Sequence, residues 1–79
     1  MKLLLYGTRH CHLCEHAEAL LHAAAMTADY VDIAEDDSLL EKYRMRIPVV
    51  LRTDNGAELG WPFDVPALLR FIAQPFEQE

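Results

Sequence analysis

Apolar residues run along this chain in two rhythms. Leu3-Leu4-Leu5-Tyr6 is a continuous apolar run ended by Gly7, the pattern of a short strand buried on both faces. Around the next turn the rhythm changes. Leu13, Ala17, Leu20, Leu21 and Ala24 recur at helical spacing, with Glu15, Glu18 and His22 opposite them. With no Gly or Pro inside, this predicts an amphipathic helix over residues 11–26. Tyr30-Val31-Asp32-Ile33 reads as a second strand. A strand, a helix and a strand in so short a span imply a right-handed parallel crossover.

The second half continues in the same way. Asp36, Asp37 and Ser38 are N-cap candidates, and Glu41 stands three residues after Ser38 as in a capping box. A short helix follows, carrying Leu39, Leu40 and Tyr43, and Ile47-Pro48 stops it. Val49-Val50-Leu51 is a buried strand. Asn55-Gly56 predicts a two-residue type I′ hairpin turn, with positive φ at both positions, and residues 57–60 return as a fourth strand. Asp64 caps a last helix with Pro66 in its first turn. Val65, Leu68, Leu69, Ile72 and Phe76 form its apolar face. The predicted order is strand, helix, strand, helix, strand, strand, helix.

Length allows one domain over residues 1–79. Net charge is −6, and six acids fall between Asp29 and Glu41 before any base appears. That argues against nucleic-acid binding, which needs a basic face. No apolar run approaches the roughly 18–20 residues of a membrane span, so no membrane association is expected. The apolar stretch Leu3–Tyr6 is shorter than the about 7–15 residues of a secretory h-region, and the expected compartment is the reducing cytoplasm.

Candidate chemistry is concentrated in Thr8-Arg9-His10-Cys11-His12-Leu13-Cys14-Glu15-His16, which holds both cysteines and three of the four histidines. The pattern places Cys11 where the first strand's loop enters the first helix, with Cys14 one turn further on. A helix N-terminus carries about half a positive charge and spare N–H groups, which favour a thiolate. A thiol with pKa near 8.5 is only about 3% ionised at pH 7, whereas one near 6 is about 90% ionised. Residues i and i+3 of a helix lie roughly 5–5.5 Å apart, within disulfide range. A purely structural staple closing so short a loop would gain only about 2 kcal/mol. A metal site is the alternative, with His10, His12 and His16 as further ligands. No cysteine lies beyond residue 14 to supply a second ligand pair. A copper-chaperone-like domain also carries Cys-x-x-Cys between its first strand and first helix, but that fold ends in a strand, whereas this chain is predicted to end in a helix. A third alternative is a binding module whose thiols are incidental.

With Cys-x-x-Cys entering the first helix of a βαβ unit and Pro48 starting the third strand, the chain resembles the glutaredoxin-like branch of the thioredoxin superfamily, of the short bacterial type. The resemblance rests on the Tyr6-to-Cys14 segment, Ile47-Pro48 and the Gly60-to-Asp64 turn. It implies an α/β thioredoxin-like fold: a four-stranded mixed sheet flanked by three helices on both faces, the first two strands parallel and the hairpin antiparallel. It implies a dithiol oxidoreductase in which Cys11 attacks a disulfide and Cys14 resolves the mixed disulfide. Pro48 would be cis and face Cys11, and Ile47 would offer backbone groups to a bound peptide or glutathione. Arg9, His12, Gly60 and Asp64 complete the expected binding set, with Arg46 a further candidate for a glutathione carboxylate. The resemblance implies no permanently bound cofactor. Glutathione is the expected co-substrate candidate, beside a disulfide-containing protein or another small thiol, and the chain is expected to be a monomer. His12-Leu13 replaces the family's usual Pro-Tyr or Pro-Phe between the cysteines. Trp61-Pro62-Phe63 makes the turn after Gly60 bulkier than the family's Gly-Gly, which implies weaker glutathione turnover.

Overall fold

The computed structural model describes residues 2–74 of the chain. The first apolar run forms β1 (Leu3–Gly7), and the period-3.6 stretch forms α1 (His12–Ala23). Then come β2 (Asp29–Asp32), a 3₁₀ turn (Ile33–Glu35), α2 (Asp37–Tyr43), β3 (Val49–Arg52), β4 (Glu58–Gly60) and α3 (Val65–Ala73). This is the expected order. The sheet runs β2-β1-β3-β4, with β1 and β2 parallel and the β1–β3 and β3–β4 pairs antiparallel.

The two interior strands are buried on both faces. One face packs Leu3, Leu5 and Val50 against Ala17 and Leu21 of α1 and Leu68 and Phe71 of α3. The other packs Tyr6 and Val49 against Ile33 and Tyr43, with Leu39 and Leu40 of α2 alongside. Tyr6 and Tyr43 stack with ring centroids 4.5 Å apart.

Several expectations change in detail. The first helix ends at Ala23 rather than residue 26, because Ala25 takes φ +60°. The Ala25 amide donates to the His22 carbonyl and the Met26 amide to the Leu21 carbonyl, both at 2.9 Å. This is a Schellman ending with alanine where glycine is usual, and without a glycine nothing in the sequence marked the stop. An L-residue in that conformation is disfavoured by about 1–2 kcal/mol relative to glycine. Ala25→Gly is therefore expected to stabilise the fold by about 0.5–1 kcal/mol after its larger entropy loss, read as a higher thermal midpoint.

On α1, Leu13 is 48% exposed and Cys14 takes the inward position beside Ala17 and Leu21. On α3, Leu69 is likewise 48% exposed, and Phe71 fills the core with Leu68. Phe76 lies outside the described residues. Asp36, not Ser38, caps α2, accepting from the Ser38 and Leu39 amides at 2.8 and 3.1 Å, so the Ser38–Glu41 box does not form.

The hairpin is not a two-residue type I′ turn. Only Gly56 of the Asn-Gly pair has positive φ (76°), and residues 53–56 form a longer loop. The Arg52 carbonyl accepts from the Gly56 amide, and the Arg52 amide donates to the Ala57 carbonyl, both at 2.9 Å. Asn55 Oδ1 is engaged by the Ala57 amide at 2.9 Å. Arg52 itself, 2% exposed, shapes the loop. Its Nε and Nη2 donate to the two carboxylate oxygens of Asp54 (3.0 and 2.6 Å), and Nη1 donates to the Phe71 and Gln74 carbonyls at the end of α3 (2.9 and 2.8 Å). The salt bridge holds the Asp54 carboxyl below its ordinary range.

A second tie joins α2 to β4. The Tyr43 hydroxyl donates to Glu58 Oε2, and Arg46 Nη2 donates to Glu58 Oε1 at 2.7 Å. Burial, then the bond to Glu58, pushes the Tyr43 phenol up to about 12. The same bond, with Arg46, lowers the Glu58 carboxyl. A depressed acid stabilises the fold above its unfolded value, and that contribution disappears as pH falls through the folded one. Tyr43→Phe keeps the stack on Tyr6 but removes the donor. Its melting temperature is expected to fall less steeply than the wild type's between about pH 5 and pH 3.

Candidate active site

The strand register sets the candidate site at one end of the sheet. Gly7 ends β1, Gly60 ends β4, and Pro48 immediately precedes β3; Tyr6 pairs with Val49, and Val49 with Gly60. The Trp61 amide donates to the Pro48 carbonyl at 3.1 Å. The chain leaving Gly7 crosses residues 8–11 and enters α1 at Cys11, at this same end. The Ile47–Pro48 bond is cis, as expected, and so is Trp61–Pro62.

Cys11 is the N-cap of α1. Its backbone is extended (φ −105°, ψ 106°), and its sulfur accepts the Cys14 amide at 3.1 Å. An orphan N–H of the first helical turn is thus satisfied by sulfur instead of the usual hydroxyl or carboxylate. Cys11 is half-buried as a residue, and its sulfur is joined in a disulfide to that of Cys14, with the Cα atoms 5.2 Å apart, while Cys14 is only 1% exposed. The two thiols therefore occupy unlike surroundings, one at the surface and charged end of a helix, the other inside.

The remaining expected residues are placed as follows. Arg9 is exposed on the loop before Cys11. His12 is exposed at the first position of α1, with Nδ1 4.0 Å from Glu15 Oε1. Ile47 is half-buried and Pro48 buried at the site end of the sheet. Gly60 is exposed, and its two neighbours in the turn carry the bulk anticipated: Trp61 lies 5.1 Å from Phe63 in an edge contact and 5.4 Å from His16. Asp64 caps α3, with Oδ1 accepting the Ala67 amide at 2.9 Å. Arg46 does not stand free for a substrate carboxylate; Glu58 holds it. Among the described residues, no group of three or more His, Cys, Asp and Glu side chains converges in a metal-binding arrangement.

Three features were not anticipated. His10, directly before Cys11, adopts φ +61°; nothing in a histidine signals that. Tyr30 reaches from β2 to donate its hydroxyl to the Thr8 carbonyl at 2.8 Å, tying the edge strand to the cysteine loop. Gly7 is required by a close approach: a Cβ there would stand 2.9 Å from Cys14 Sγ and 3.0 Å from Tyr30 Cζ, and would run into the Tyr30 hydroxyl. The glycine at the end of the first strand was the available signal, read only as the strand's stop.

Comparison with known proteins agrees with this fold. The family model described as Glutaredoxin-like domain (DUF836) matches residues 2–73. The X-ray structure of Northeast Structural Genomics target protein XcR50 from X. campestris is similar at TM-score 0.85 and 40% identity, covering 92% of this chain and 99% of that one. The solution structure of XcR50 gives TM-score 0.83 and 39% identity, covering 98% and 100%. The solution structure of protein Ne2328 from Nitrosomonas europaea gives 0.71 and 27%, covering 89% and 88%. No curated protein matches the chain.

Proposed function

We propose, from the premise that this chain belongs to the glutaredoxin-like domain family, that it is a thiol–disulfide oxidoreductase working through Cys11 and Cys14. The observation that carries this reading is the Cys11 sulfur at the N-cap of α1, receiving a backbone N–H and bonded to a buried partner one turn away. The helix terminus favours negative charge on that sulfur. In the reduced protein, Cys11 thiolate attacks a substrate disulfide and expels one thiol. Cys14 then attacks the Cys11 sulfur of the mixed disulfide and expels the second, so the substrate gains two electrons and the pair becomes a disulfide. Pro48 and the Ile47 backbone, at the same end of the sheet, would border the incoming chain. His12 and Arg9 would form the site's exposed rim, and Gly60 and Asp64 its opposite side. The substrate class is a protein or small-molecule disulfide, with glutathione a slower partner.

The test is the reactivity of the two thiols. In the reduced protein, Cys11 is expected to alkylate rapidly below pH 7 with a midpoint below 8, while Cys14 stays protected. Titration against glutathione redox buffers then gives the midpoint of the pair. Faster modification of Cys14, or two midpoints near 8.5, would reverse or remove these roles.

A further inference from the structure

The proposed cycle asks something difficult of Cys14. It must become a nucleophile although it is 1% exposed. Burial disfavours a thiolate. Acids stand near this corner: Glu18 and Glu15 on α1 and Asp32 on β2 are the groups whose charge bears on the neighbouring Tyr30 phenol. The start of α1 provides some compensation, but its Cys14 amide is already given to Cys11. A buried anion without a close donor is costly.

One donor stands beside the sulfur. Tyr30 pairs with Leu5 across the sheet, and its side chain lies along the edge over Gly7. The phenol and Cys14 Sγ both lie close to the point where a Cβ of residue 7 would sit, and so near one another. We propose that the Tyr30 hydroxyl is the hydrogen-bond donor that assists Cys14 in the resolving step, turning from the Thr8 carbonyl to the sulfur as charge develops there. This rests on the oxidoreductase reading above and deepens it. The exchange is favourable in direction, because a hydrogen bond to an anion is roughly twice as strong as one to a neutral carbonyl. Burial, then Glu18, Asp32 and Glu15, raises the Tyr30 phenol, so it keeps its proton and remains a donor. The step balances simply. Cys14 gives its proton to solvent, its sulfur bonds to Cys11, and the electron pair of the broken bond leaves with the second substrate thiolate, which solvent reprotonates. Tyr30 keeps its own proton throughout. Gly7 gains a role as well, as the gap through which the hydroxyl and sulfur meet.

The experiment mixes reduced protein with one equivalent of dithionitrobenzoate and follows the coloured thiolate. The first attack by Cys11 releases one thionitrobenzoate and the return of Cys14 releases the second. Tyr30→Phe keeps the ring of a residue that is 41% exposed on an edge strand, so the fold tolerates it. The expected result is an unchanged first phase and a second phase slowed about tenfold to a hundredfold, the worth of one hydrogen bond to a charged group. The pH midpoint of the second phase should also rise by about one unit, since a tenfold loss in ionisation is one unit. A variant with both phases slowed equally would show that Tyr30 acts only by holding the loop at Thr8, and unchanged phases would show that it does nothing; either overturns the proposal. A wild type with no fast first phase would instead defeat the oxidoreductase reading itself.

Discussion

Cys11→Ser is expected to reduce disulfide reduction by roughly 10³-fold or more, because an alkoxide is not available at neutral pH to replace the thiolate. Cys14→Ser should behave differently. The first attack survives and the reaction stops at the mixed disulfide. Incubated with oxidised glutathione, Cys14→Ser should gain one glutathione by intact mass, and Cys11→Ser should gain none at the same rate. Wild-type turnover in a glutathione-coupled assay should nevertheless stay below that of a typical glutaredoxin. The Trp61-Phe63 contact fills the turn beside the site, Arg46 is held by Glu58, and a chain of net charge −6 does not attract an anionic tripeptide. Robust glutathione-dependent turnover would mean that the turn leaves room after all. No adduct on Cys11 would undercut the assignment of the nucleophile.

The second large effect is on stability. Leu5 is 1% exposed on an interior strand, packed between the sheet and the α1–α3 layer. Leu5→Ala is expected to cost about 2–5 kcal/mol through lost burial and the cavity left behind. A domain of this length has roughly 4–12 kcal/mol in all, so the variant should melt about 10–30 °C lower. Leu69→Ala makes the control. It removes the same side chain from a position 48% exposed and should change stability by no more than about 0.5 kcal/mol. Equal losses at the two positions would contradict this assignment of the core.

The contrast between Leu5 and Leu69 also shows what the sequence made legible. Strands stood out because Leu3–Tyr6 and Val49–Leu51 are continuous apolar runs with few alternatives. Helix faces were less determinate. In Val65-Pro66-Ala67-Leu68-Leu69-Arg70-Phe71-Ile72 two apolar stripes compete, and packing against β1 and α1 selects the one containing Phe71. Leu13 and Cys14 compete in the same way on α1, and the disulfide partner ends up inside. The pairing of cysteines with a helix start was local in sequence and therefore readable. Tyr30 was not, since its hydroxyl serves a carbonyl 22 residues away. The Asn55-Gly56 turn failed for a related reason: Asn55 gives its side chain to the Ala57 amide, and Arg52 engages Asp54.

Arg52 links two distant parts of the chain. One fork of its guanidinium closes the 53–56 loop through Asp54, and the other closes the last turn of α3 through Phe71 and Gln74. Neither part can open without stripping partners from a cation that is almost wholly out of water. The loop and the helix end are therefore expected to open as one cooperative unit, their amide protons exchanging with solvent together instead of fraying separately in a hydrogen-exchange measurement.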